Sequence, residues 1–157
     1  MARASIVSTK TERRLPTKYA LDSNLFIDAL RNPDDEARLL MFHERYAYAE
    51  FLSAIVALEL RAGAKSSADA AKLQRHLFAP FERRGRVFAP SYATWKTAGA
   101  AVAELRGAQL TRAFYNDILL AASCREHGVT LVTRSAADFE RIRRVLRFDV
   151  VTDWPAL

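Results

Sequence analysis

The chain has 157 residues, half of them hydrophobic and 27% charged, with only five Gly and five Pro. That is the composition of one globular domain with a sizeable core, and it excludes a disordered or fibrous chain. No apolar run approaches the ~20 residues of a membrane span, the N-terminus lacks an apolar secretory core, and the net charge of +6 is compatible with a polyanionic partner without proving one.

The single cysteine, Cys124, rules out an intrachain disulfide and points to a reducing, cytoplasmic compartment. It follows the apolar run Ile118–Ala122 and reads as a buried structural thiol. Much of the positive charge lies at the start, where Arg3, Lys10, Arg13, Arg14 and Lys18 face Glu12 alone. Residues 1–17 read as a flexible basic arm before a folded domain over 18–157. The Ser, Thr and Arg content of that arm also has the look of an organelle transit peptide, but an arm is the simpler reading.

Along the rest of the chain, short apolar strands alternate with helical stretches, which implies an α/β domain with a parallel sheet covered by helices. Tyr19-Ala20-Leu21 reads as a strand running into a helix capped by Asp22-Ser23-Asn24. Asn32-Pro33 breaks that helix and opens the next. Tyr46–Ala54 reads as a second strand, and Ser53 caps a helix that stops near Gly63. A helix over 68–81 follows, then a strand at Arg86–Ala89 and a helix from Pro90-Ser91 to Leu105, ended by Gly107. Asn116 starts a nearly all-apolar helix that His127-Gly128 ends. Val129–Thr133 is the clearest strand, β-branched and unbroken. A short helix holds Phe139 and Ile142, and Phe148–Val151 is a last strand, placed at the sheet edge.

In an open parallel sheet the site forms beyond the carboxyl ends of the strands. Asp22 directly follows a strand, Asp138 comes shortly after Val129–Thr133, Asp117 sits near a helix start, and Glu59 lies between Leu58 and Leu60. Each has a bland reading: Asp22, Asp117 and Asp138 as caps or dipole partners, Glu59 as a solvated acid. Together they are harder to dismiss, because acids among apolar neighbours are costly when buried unpaired, and converging carboxylates raise each other's pKa. A divalent cation relieves both problems. All-oxygen ligands without His or Cys select Mg²⁺, with Mn²⁺ as a substitute, over Zn²⁺. Such an ion suits phosphodiester hydrolysis. His43, His76 and His127 are scattered and read as surface or helix-end residues.

These residues resemble the PIN-domain family. Tyr19-Ala20-Leu21-Asp22-Ser23-Asn24 is similar to its opening strand and acid, Ser53-Ala54-Ile55 through Glu59-Leu60 to its second motif, Asn116-Asp117-Ile118-Leu119-Leu120 to its third, and Leu131-Val132-Thr133-Arg134-Ser135 with Asp138-Phe139 to its fourth. The resemblance covers Lys18 to Pro155 and is nearest to the VapC-type toxins of bacterial toxin–antitoxin modules. It implies a Rossmann-like three-layer fold with a four- or five-stranded, mainly parallel sheet. It also implies Mg²⁺-dependent endoribonuclease activity and a cognate antitoxin that blocks the site. On that resemblance Asp22 and Asp117 are the principal metal ligands. Glu59 and Asp138 complete the acidic cluster, and Thr133 hydrogen-bonds within it. Two departures stand out: Ser135 where relatives carry Asn or Asp, and the long basic arm.

Arg112 and Arg134 are candidate phosphate contacts, with ordinary solvated arginine as the alternative. The apolar excess between Asn32 and Leu60, including Phe42, Tyr46, Tyr48 and Phe51, suggests a homodimer or antitoxin groove, or else plain core packing. Two other functions compete. A non-catalytic nucleic-acid-binding module gains nothing from clustered negative charge. A phosphohydrolase with Asp22 as nucleophile wants a second Asp where Asn24 stands, and a placed Lys that Lys65, Lys72 and Lys96 do not supply.

Overall fold

The computed structural model describes residues 16–105 and 110–157. Most of the arm expected over 1–17, and Gly107 as a helix terminator, lie outside these. Five parallel strands form one sheet: β1 (Lys18–Leu21), β2 (Glu50–Ser53), β3 (Val87–Phe88), β4 (Val129–Thr133) and β5 (Val150–Thr152). Their spatial order is β3-β2-β1-β4-β5. From β1 the chain moves to one side for β2 and β3, then returns to β1's other side for β4. The strand order therefore reverses between β1 and β4, and ligands bind at the carboxyl end of such a reversal.

Helices cover the sheet: α1 (Ser23–Ala29), α2 (Pro33–Tyr46), α3 (Ala54–Gly63), α4 (Ser67–Leu73), α5 (Ala79–Arg83), α6 (Tyr92–Glu104), α7 (Arg112–His127) and α8 (Ala136–Arg143). The central strands are apolar without alternation because both their faces are covered. Ala20, Leu131 and Val132 are fully buried, as are Ile118 and Ala121 of α7 and Ile142 of α8. Cys124 sits among them with no exposure, and burial pushes its thiol pKa up, as fits an inert structural residue. Among the described residues no helix is long and apolar enough to cross a membrane.

Several boundaries differ from the sequence expectation. The strand read at Tyr46–Ala54 is only Glu50–Ser53. Helix α2 runs through Tyr46, and the amide of Ala49 donates back to its carbonyl at 2.8 Å, so Ala47–Ala49 form the turn that leads into the strand. The helix expected over 68–81 is interrupted by a π-helical turn, Gln74–Phe78. Pro80, which has no amide to donate, then lies at the start of α5. Helix α7 starts at Arg112 rather than Asn116, because the Thr111 hydroxyl caps it by accepting from the Phe114 amide at 3.2 Å. Asp117 is therefore in the second turn, too far in to act as a cap.

The apolar excess of 32–60 is divided between the core and the surface, where Leu40, Met41 and Leu58 stay exposed. Phe42 is fully buried in an aromatic cluster with Tyr19, Tyr46 and Trp154, Phe51 is half-buried, and Tyr48 stays 65% exposed.

Candidate active site

Asp22 is the first residue beyond β1, at the strand reversal. Its amide still follows the sheet, donating to Val132 O at 2.9 Å, while its side chain caps α1 by accepting from the Ser23 amide at 2.8 Å. The carboxylate is 4% exposed. Burial raises its pKa, the hydrogen bonds from Thr133 and Ser23 oppose that rise, and the charge of Glu59 adds to it.

Thr133 ends β4 directly beside it, fully buried, and its hydroxyl donates to Asp22 Oδ2 at 2.6 Å. Thr133 Oγ1 in turn accepts from the Ser135 amide at 3.0 Å and from Asn24 Nδ2 at 3.4 Å. Asn24 Nδ2 also donates to Ser135 Oγ at 2.9 Å. The two turns leaving β1 and β4 are thus stitched together by Asp22, Asn24, Thr133 and Ser135. Ser135, which differs from the family pattern, serves here as a hydrogen-bonding partner. Asn24 Oδ1 is buried and accepts no hydrogen bond from a described residue.

Helices α3 and α7 pack together and bring two further acids. Glu59 is half-buried and its Oε1 accepts from Asn116 Nδ2 at 3.0 Å. Asp117 is half-buried next in the chain. Its pKa is pushed up to about 7, first by burial and then by the negative charges of Asp22, Glu59 and Asp138. Asp138, in the first turn of α8, is the outermost member, with a side chain 49% exposed and 3.8 Å from Arg141 Nη1. All four acids named from the sequence therefore share one electrostatic environment, with Asp22, Glu59 and Asp117 at its centre.

The donor set fits a hard divalent cation. The converging groups are carboxylates, with no His or Cys among them, and their mutual repulsion is what a bound cation removes; Asn24, bonded to Thr133 beside Asp22, also has a buried Oδ1 without a partner among the described residues. As they stand, no three acid, His or Cys side chains among the described residues are close enough to hold an ion together. The four carboxylates share a field here rather than a coordination sphere.

Arg134 is not free for phosphate. Its guanidinium donates to Asp35 Oδ1 at 2.5 Å and Asp28 Oδ2 at 3.0 Å, with Asp153 at 3.8 Å. It ties the turn after β4 to α1, α2 and the end of β5. Arg112 is exposed in the first turn of α7. Sequence reading missed Asn24 and Asn116, although each stands within two residues of a named acid. It also missed the pairing of His43 Nδ1 with buried Glu50 at 2.7 Å, because nothing in the chain signals which histidine meets which acid.

Comparison with known proteins agrees with this architecture. The PIN domain family model matches residues 19–145. A DNA-bound VapBC structure from Salmonella typhimurium superposes with a TM-score of 0.66 at 20% identity, covering 87% of this chain and 98% of that one. VapBC2 from Rickettsia felis, bound to a DNA fragment from its promoter, gives 0.59 at 22% identity over 88% of this chain and 100% of that one. FitAcB from Neisseria gonorrhoeae gives 0.63 at 20% identity, covering 84% and 95%. No curated protein matches. The chain belongs to the PIN domain family, whose members are generally nucleases that use divalent metal ions.

Proposed function

We propose that the chain is a Mg²⁺-dependent endoribonuclease, the toxin of a type II toxin–antitoxin module. The observation that carries this is the convergence of Asp22, Glu59, Asp117 and Asp138 at the strand reversal, close enough that the other three raise the Asp117 pKa. A cluster of like charges is unfavourable on its own, and a bound divalent cation of the kind that assists phosphodiester hydrolysis would compensate it.

Asp22 and Asp117 would be the principal ligands of Mg²⁺ or Mn²⁺, with Glu59 and Asp138 completing the shell or orienting water. The bound ion would supply a water of lowered pKa and neutralise charge on the phosphate. Thr133 fixes the Asp22 carboxylate and favours its ionised form. Asn116 holds Glu59, and Asn24 and Ser135 hold the two turns at a constant separation. Preorganisation of this kind is how a site of few groups gains rate.

The antitoxin partner is supported by the complexes to which the fold is similar, named VapBC and FitAcB. It is supported also by exposed apolar side chains on and between α1, α2 and α3: Leu30 (84% exposed), Leu40 (60%), Met41 (51%) and Leu58 (61%). The proposal includes a cytoplasmic homodimer, which light scattering on the chain alone tests.

The deciding experiment is RNA cleavage by purified, antitoxin-free protein with Mg²⁺ or Mn²⁺, set against EDTA and against Asp22→Asn and Asp117→Asn. Cleavage that needs the metal and both carboxylates is expected. Well-folded protein inactive on total cellular RNA would return the choice to a nucleic-acid-binding module or a phosphohydrolase using Asp22 as nucleophile.

A further inference from the structure

At the opposite pole of the sheet, where β4 and β5 begin, lies a cleft of about 460 Å³. Three arginines line it: Arg125 from the last turn of α7, Arg143 from the last turn of α8, and Arg147 from the connection to β5. All three are exposed, and one acid, Asp149, lies among them. Arg143 reaches Glu140 at 3.4 Å, while Arg125 and Arg147 form no ion pair with any described carboxylate. Arginines in the last turn of a helix commonly answer the helix dipole. That accounts for Arg125 and Arg143 singly, but not for their convergence with Arg147 around one concavity.

The acidic pole makes this cleft significant. A polyanion approaching Asp22, Glu59, Asp117 and Asp138 meets negative charge. Two of the arginines near the acids are already engaged, Arg134 by three carboxylates and Arg141 beside Asp138, while Arg112 at the start of α7 is exposed and forms no ion pair with a described carboxylate. Charge on an RNA backbone beyond the bound metal must be neutralised elsewhere, and most nucleic-acid affinity arises from such neutralisation. The cleft's floor includes Phe148 and Val129, both buried, so it has little apolar surface to dock a protein segment and a guanidinium-rich rim to receive phosphates. It stands one strand length, about 13 Å, from the acids.

We infer that the Arg125–Arg143–Arg147 cleft is a second, non-catalytic contact for the phosphate backbone of the RNA substrate. This rests on the ribonuclease reading, and the two can fail separately. The test measures binding of a long, mixed-sequence single-stranded RNA by fluorescence anisotropy across a salt series. Asp22→Asn protein, which leaves the probe intact, is compared with the same protein carrying Arg125→Gln and Arg147→Gln. Each lost phosphate contact should make the log–log salt slope shallower by about 0.7, hence about 1.4 for the pair, with affinity roughly tenfold weaker at low salt. In the active protein the pair should raise KM and leave kcat unchanged. An unchanged slope in a variant of unchanged Tm overturns the inference, as does absence of RNA binding by the unsubstituted protein. So does an unchanged slope accompanied by lost binding of a polyglutamate peptide, which would assign the cleft to an acidic protein. A cleft-dependent slope without cleavage would sink the ribonuclease reading and keep the cleft; cleavage with a cleft-independent slope would do the reverse.

Discussion

Thr133 and Asp22 are 111 residues apart in sequence, yet the threonine hydroxyl donates to Asp22 Oδ2 at 2.6 Å. The parallel pairing of Leu21 with Val132 brings their strand ends side by side, so the bond is a direct product of sheet register. It opposes the effect of burial on the Asp22 pKa.

Thr133→Val keeps the shape and removes the donor. A hydrogen bond to a charged group contributes about 1.5–3 kcal/mol, so cleavage should fall roughly ten- to hundredfold. Without the hydroxyl the Asp22 pKa rises further, and the acid limb of the pH–rate profile should move to higher pH. Thr133→Ser should restore both. A Thr133→Val enzyme with the parent pH profile would remove Thr133 from the site.

Asp117 predicts how metal-free stability depends on pH. Folded, its carboxyl holds a proton up to about pH 7, against 3.8 for the ordinary side chain. Between those values the native state binds more protons than the unfolded state, so stability falls as pH rises from about 4 to about 7. After solvent screening the expected loss is about 1–2 kcal/mol. Thermal melts in EDTA should show Tm declining across that window in the parent and staying flatter in Asp117→Asn. Added Mg²⁺ should raise Tm more at pH 8 than at pH 5, because the ionised acids are the ligands. Equal stabilisation at both pH values would contradict this.

Much of this was legible in the sequence because the signals are local. The β-branched run Val129–Thr133, the caps at Asn32 and Ser53, and the four acids all announce themselves over a few residues. What escaped had either a weak local signal or a long-range cause. Thr111 caps α7 from a segment with no strong helix signal, which moved Asp117 inward by a turn. The π-helical turn before Pro80 has no periodic signature, since its extra residue shifts the apolar stripe rather than ending it. Arg134 looked available for phosphate because Asp28, Asp35 and Asp153 reach it from three separate elements.

That clamp yields the third prediction. With its charge already answered by carboxylates, Arg134 should contribute nothing measurable to RNA binding. Arg134→Gln should leave the salt slope unchanged, in contrast to the cleft arginines. It should nevertheless lower Tm by about 2–4 °C, since Asp35, whose pKa the Arg134 hydrogen bond lowers, loses its partner. Destabilisation should be greatest near neutral pH, where Asp35 is ionised, and should diminish as pH falls below the ordinary carboxylate range. A shallower salt slope without a change in Tm would reverse the assignment.

Gly128 links α7 to β4 and sits at φ 62°, ψ 40°, in the left-handed region. Its amide donates to Arg125 O at 3.3 Å, closing the helix, and Val129 begins the central strand at once. A Cβ placed there would meet nothing within 4 Å, so substitution incurs a backbone penalty and no clash. Gly128→Ala should therefore lose about 1–2 kcal/mol, the usual difference for a non-glycine residue in this conformation, and Tm should fall by about 2–8 °C. Gly128→Asn should lose less, because asparagine tolerates left-handed backbone. Chemical denaturation should show a lower midpoint with an unchanged m-value in both, since neither alters the surface exposed on unfolding. Equal stability of the alanine and glycine proteins would mean the turn relaxes to negative φ, which the single residue between His127 and Val129 leaves little chain to accommodate.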